Sequence, residues 1–431
     1  MKKLLTTTLL LLALPSAHAL DIQRWRTAEG TTVLLVERHE NPIVDISVQF
    51  PAAGSIADPQ GKNGLADFAA GLLTTGTKKH DEENFNKRIN DLAAQLESDN
   101  DRESSSLILR SLSRPATLRQ AGELMQQALS QPRYDAEVFR RTRQQAELAL
   151  RQNESQPGYI AMRESVKLDY PQHPYSAAAY TSVQSLQAVS LDDVKTFHRN
   201  QYAKEGAVVA LVGDLNRRQA DRLVGSLLKG LPEKAQTAAK VQPVNEQVGR
   251  RADIPFASEQ AQVVMSMPLI SRNDPDYYAL VAGNYILGGG GFDSRLMKTL
   301  RDEHGYVYGV SSNLMPQREK GRFVIQFATQ KSQAPKALEA AESVLRRFIA
   351  EGPTEAELQQ AKDNIIGSFP LRFDTNQKLL GYLGMIGLYD LPSDWMEQYP
   401  KKIEALTVDD VKKAWQRRVK PENLNTVVVG G

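Results

Sequence analysis

The chain has 431 residues, 41% of them apolar, no cysteine and a formal charge of +2. Without cysteine there are no disulfides, thiolate metal sites or cysteine nucleophiles. The near-balanced charge argues against a nucleic-acid-binding face and against electrostatic attachment to a membrane surface.

Residues 1–19 read as a secretory signal peptide. Lys2 and Lys3 form the charged start, residues 4–14 the apolar core, and Ala17-His18-Ala19 a small-x-small cleavage site. Cleavage would leave a chain starting at Leu20, with 51 basic against 51 acidic residues once Lys2 and Lys3 are gone. A periplasmic location is the expectation, with no membrane span, because no later run of about 18 apolar residues follows. Residues 31–37 and 43–50 then read as strands, and 65–73 as a buried helix. Residues 82–96 place Phe85, Ile89, Leu92, Ala93 and Leu96 near helical spacing. Residues 104–112 resemble a strand and 136–150 a long amphipathic helix.

Residues 231–248 are polar, rich in alanine and without apolar periodicity, which marks a linker. Domains are therefore expected at 20–230 and 253–431, with 231–252 between them. In the second half, strands are expected at 262–267, 306–314 and 322–329. Segments at 277–287 and 294–300 fall between them, and helices follow from Pro335 and Glu355. Residues 188–213 and 405–430 repeat each other at a constant offset of 217, pairing Ser190 with Thr407, Asp193 with Asp410 and Gly213 with Gly430. Such a duplication predicts two halves of one fold. Interspersed strands and helices, with several strands adjacent, make that fold α+β: in each half, a mostly antiparallel sheet covered by helices.

The segment 62–77, KNGLADFAAGLLTTGT, resembles the pitrilysin–insulinase family of inverted-motif zinc peptidases, whose matching helix reads like GLAHFLEHMLFKGT. Gly64, Leu65, Ala66, Phe68, Leu73, Gly76 and Thr77 keep the frame. The first histidine, the glutamate and the second histidine of the family motif fall on Asp67, Ala70 and Gly71. The family's third ligand, a glutamate about 76 residues beyond the second histidine, falls on or beside Glu147. Zinc hydrolysis needs three protein ligands, an open position for water and a carboxylate base. Asp67 and Glu147 supply two carboxylates and no imidazole, so no metal is expected in this chain. The six histidines offer no pair at helical ligand spacing, and His80-Asp81-Glu82-Glu83 ends at Asn84 where a second histidine would be needed.

The segment 286–310, ILGGGGFDSRLMKTLRDEHGYVYGV, resembles the same family's C-domain signature. The resemblance implies that Arg301 and Tyr308 are the Arg/Tyr pair that reaches the zinc site of the other half or subunit of a clamshell. Both side chains can donate to a carbonyl oxygen as it gains charge. Arg295 and Tyr306 are the neighbouring candidates. Gly288, Gly289, Gly290 and Gly291 are not followed by Gly-Lys-Ser/Thr, which excludes a phosphate loop. They fit either a tight bend between helices or a mobile lip touching peptide, the substrate role being implied by resemblance only.

Taken together, the resemblance implies a zinc-less subunit of a periplasmic heterodimeric metallopeptidase. Its partner would be a homologous subunit with an intact H-x-x-E-H helix and the zinc, and its ligands unfolded peptides bound as added strands. The alternative is a non-enzymatic peptide-binding or scaffold protein on the same clamshell.

Overall fold

A computed structural model describes residues 21–51, 53–236 and 241–431. The signal-peptide expectation lies outside the described residues. Strands β1 (Gln23–Arg26), β2 (Thr32–Glu37), β3 (Ile43–Pro51), β4 (Gln95–Asn100), β5 (Ser104–Leu112) and β6 (Val208–Gly213) form one sheet, in the order β1-β2-β6-β3-β5-β4. A second sheet holds β7 (Arg251–Ile254), β8 (Gln260–Pro268), β9 (Val307–Met315), β10 (Arg322–Gln330) and β11 (Asn425–Val429), in the order β7-β11-β8-β10-β9. Apart from the extra edge strand β1, the two orders are the same. In each sheet one pair, β2/β6 or β7/β11, is parallel and the others are antiparallel. The offset of 217 read from sequence places Val208 of β6 on Asn425 of β11 and Pro51 of β3 on Pro268 of β8. The fold is α+β, two sheets covered by helices, as the sequence predicts.

Central strand β6 is buried at all six positions, which calls for apolar side chains on both faces. One face packs on helices of its own half: Val209 and Leu211 join Val44, Ile46, Leu107 and Leu109 in that core. The other face is covered by the helix Asn376–Leu388 from the second half, whose Leu379, Leu383 and Ile386 share a core with Leu34, Val36, Val208, Ala210 and Val212. Gly387 lets that helix lie close, since a Cβ there would sit 2.3 Å from Val208. The reciprocal helix, Pro157–Asp169 of the first half, packs on β8 and β11, where Ala161 meets Val264, Val324, Val427 and Val429. The two exchanged helices occupy equivalent places in the duplicated sequence. The halves therefore interlock.

A buried ion pair fixes the interlock. Arg322 Nε donates to Asp169 Oδ2 at 2.6 Å, with side chains 2% and 0% exposed. Ser266 and Asn425 donate to Asp169 Oδ1 at 3.0 and 2.8 Å, and Arg322 Nη2 donates to Ser165 at 2.6 Å.

Two expectations need correction. The helix expected over 82–96 ends at Asp91, because Ala93 takes a left-handed φ of 49°, and Leu96 belongs to β4. The linker is shorter and less free than its composition implies: Arg251 and Ala252 already pair in β7. Val244 is also buried, against Ile56, Tyr170 and Tyr175.

Candidate functional site

The helix Leu65–Gly71 starts at Gly64, whose φ of 99° is in the left-handed region. Asp58 caps it from outside, accepting the N–H groups of Gly64 and Ala66 at 2.8 Å each. Burial lifts the Asp58 carboxyl to about 7 against those two donors. Leu65, Ala66, Phe68, Ala69 and Ala70 face the core, which accounts for the surviving frame of the motif. Ala70 is itself buried at 2% exposure, so its methyl has become a core group. Gly71 leaves space, since a Cβ there would meet nothing within 4 Å.

Asp67 is exposed and accepts a hydrogen bond from Asn100 of β4 at 2.7 Å, while Ser105 donates to the same Asn100 side chain. Crowding by surrounding protein raises the Asp67 pKa against the Asn100 donor, although contact with solvent limits how far. Glu147, on the helix Ala136–Glu154, accepts from Gln187 at 3.2 Å. Each remnant carboxylate is thus held by a side-chain amide. Among the described residues no group of three His, Cys, Asp or Glu is placed to hold a metal. The zinc implied by the fold does not fit these residues, which lack imidazole and base. His80 is a turn residue: Thr77 N–H donates to its carbonyl at 2.8 Å, and Asp81 caps the helix Glu82–Asp91.

The glycine-rich segment is built from irregular helix. Helix Tyr277–Asn284 widens into a π-helical turn at Tyr285–Gly289, and a second π-helical turn, Lys298–Glu303, carries Arg301 into β9. Such turns insert residues that re-aim side chains and concentrate at functional sites. Gly288 runs close against β9, where a Cβ would lie 2.6 Å from Ser312 Oγ, and Gly291 has a φ of 67°. A Cβ would also lie within 2.8 Å of its neighbours at Gly289 and Gly290, so the run packs tightly up to Gly290. Gly288, Gly289 and Gly291 also line a cavity of about 660 Å³ with Phe292 and Tyr308.

Tyr308 stands on edge strand β9, 90% exposed. Arg301 lies with its guanidinium 4.8 Å from the centre of the Phe292 ring. Both line a second depression of about 700 Å³, so the structure brings the pair together. Among the described residues neither side chain has a hydrogen-bond or ion-pair partner. Of the neighbouring candidates, Arg295 is committed elsewhere, whereas Tyr306 lines the same depression. Arg295 makes two bonds of 2.7 Å to Glu357 and one of 3.0 Å to the Gly352 carbonyl. Tyr306 is half-buried and stacks on His304 at 5.0 Å.

Partial burial pushes Glu357 up, but Arg295 and Thr354 outweigh it and hold its pKa down at about 2. A depressed carboxylate contributes stability above its unfolded pKa of 4.5, lost as pH falls toward 2. Glu357→Gln is expected to cost about 1–2 kcal/mol at pH 7 after allowing for partial exposure. The cost should vanish near pH 2, as denaturation followed across pH will show.

Comparison with known proteins fits this geometry. Residues 32–175 match the family described as insulinase (peptidase family M16), and residues 188–365 match the peptidase M16 inactive domain. The crystal structure of a peptidase M16 inactive domain from Pseudomonas fluorescens superposes with a TM-score of 0.91 at 32% identity, covering 95% of this chain and 98% of that one. The chain belongs to the M16 peptidase family. A Helicobacter pylori protein described as the non-peptidase homolog YmxG is 26% identical over 434 residues, covering 100% of this chain and 98% of its own. A protease from the same species shares the fold, with a TM-score of 0.86 at 19% identity over 95% of this chain and 99% of that one. Where the family's motif has two histidines and a glutamate this chain has Asp67, Ala70 and Gly71, consistent with a non-catalytic, inactive M16-like protein.

Sequence reading did not find Asp58, Asn100 or Phe292. Asn100 sits 33 residues from its partner Asp67, and only the hairpin of β4 and β5 carries it there. Asp58 could have been found as an acidic residue shortly before a helix start.

Proposed function

We propose that this M16 chain is the zinc-less subunit of a periplasmic two-subunit peptidase. It presents Arg301 and Tyr308 to a homologous partner that carries an intact H-x-x-E-H helix and zinc. One observation carries the reading. In a chain that lacks the motif's two histidines and glutamate, an arginine and a tyrosine stand exposed in one depression beside an open sheet edge, without hydrogen-bond or ion-pair partners among the described residues. Donors without internal partners are free to serve a group from outside. Peptide would add as a strand at an outer edge. Two such edges are β4, which carries Asn100, and β9, which carries Tyr308. The secretory signal at residues 1–19 supports the periplasmic location. Among the described residues no helix is long and apolar enough to cross a membrane.

Co-purification from the native periplasm, with intact mass and a quenched-peptide assay, tests this. The expected result is a stoichiometric homologous companion, with zinc and activity only in the complex. A chain that elutes alone or as a homodimer and holds peptide without cleaving it would replace this reading with the scaffold one.

A further inference from the structure

Among the helices of the second half, sharing no lining residue with the Arg301 and Tyr308 depression, lies a cavity of about 420 Å³ that the peptidase reading does not use. Its rings are already arrayed: Phe369 stacks on Tyr399 at 4.6 Å and 6°, Trp395 lies 5.1 Å from Tyr399, and Tyr382 lies 6.2 Å from Trp395. Such an array suits an aromatic guest, because ring pairs favour stacked or edge-on contacts at these separations. The volume is that of a small-ligand site.

The cations around it are unusual. Arg272, Arg372 and Lys378 line the cavity and no acidic residue does. Lys378 is committed, to Asp374 at 2.9 Å and the Leu371 carbonyl at 3.0 Å. Arg272 and Arg372 have no carboxylate partner among the described residues: Arg272 reaches the Tyr277 hydroxyl at 3.4 Å and lies 5.3 Å from the centre of the Tyr389 ring, Arg372 lies by the Tyr399 hydroxyl, and the buried Arg272 Nε has no acceptor. A buried guanidinium nitrogen left unpaired calls for an explanation, and a planar guanidinium favours carboxylate or phosphate oxygens. Gly381, on the helix Asn376–Leu388, also lines the cavity, and a Cβ there would meet nothing within 4 Å. The missing side chain leaves the space open in a helix where most residues would fill it.

We propose that this cavity binds an aryl anion, an aromatic body bearing a carboxylate or phosphate, with the ring among Tyr382, Trp395 and Tyr399 and the charge on Arg372 and Arg272.

The test uses the purified full chain, with calorimetry as the readout and intrinsic fluorescence, to which Trp395 contributes with Trp25 and Trp415, as a second. The probes are N-acetyl-L-phenylalanine, phenyl phosphate and the neutral N-acetyl-L-phenylalaninamide. At least one anion should bind at least tenfold more tightly than the amide, and which anion wins separates the two head groups. Arg372→Gln, at an exposed position, should weaken that binding at least tenfold. Gly381→Leu should abolish it while leaving the thermal midpoint unchanged or raised, since leucine favours helix over glycine. Absence of binding by both anions at millimolar concentration, equal affinity for the amide, or full affinity in Gly381→Leu overturns the proposal.

Discussion

Replacing Arg301 by alanine or Tyr308 by phenylalanine is expected to lower kcat of the assembled peptidase by roughly 10–1000-fold, the scale of losing an oxyanion donor. Assembly and stability should be untouched. Tyr308 is 90% exposed and its hydroxyl has no partner among the described residues, so Tyr308→Phe removes one donor and no packing. Surface changes of this sort stay within about 0.5 kcal/mol. Arg301 contributes only its contact with Phe292 at 4.8 Å, itself an exposed ring. Arg295→Ala provides the contrast. It breaks the pair with Glu357 and should lower stability without the same selective loss of kcat. Wild-type turnover by a complex carrying both Arg301→Ala and Tyr308→Phe would sink the role given to this pair.

The same pair shows what the sequence could carry. Arg301 and Tyr308 are seven residues apart, on a turn and the strand it feeds, so local geometry alone joins them. The duplication was legible for a similar reason: helix-start residues and apolar runs recur at a fixed offset, and β6 and β11 lie where it puts them. Asp67 was harder. Its identity announces a lost ligand, but its bond to Asn100 depends on β4, whose first two residues fall in the stretch 82–96 with helical spacing and whose last four carry no signal of their own. The apolar spacing from Phe85 to Leu96 fits a helix until Ala93 turns left-handed, and nothing local marks alanine for that backbone. The exchange of helices was illegible in principle. The apolar residues Leu379, Leu380, Leu383 and Ile386 say that Asn376–Leu388 is buried, and the close approach at Gly387 shows only afterwards which sheet it covers.

That exchange makes the second large effect a matter of folding. Asp169→Ala is expected to destabilise the chain by about 3–5 kcal/mol, the usual result of leaving one member of a buried ion pair behind. Asp169 ends the helix Pro157–Asp169 and is fully buried. It accepts from Arg322 of β10, Ser266 of β8 and Asn425, the first residue of β11. Truncation strands a guanidinium that is 2% exposed, together with two neutral donors. The helix comes from the first half and the strands from the second, so the loss should loosen the interlock itself. Urea unfolding followed by tryptophan fluorescence, with Trp415 buried in the second half's core, should shift to lower concentration. Replacing both partners, as Asp169→Leu with Arg322→Met, should recover most of the loss, because paired apolar substitutes carry no uncompensated charge. If Asp169→Ala unfolded within about 1 kcal/mol of wild type, far below the cost expected for an orphaned buried charge, the pair would be ornamental. Apolar packing of Ala161 on Val264, Val324, Val427 and Val429 would then hold the halves together alone.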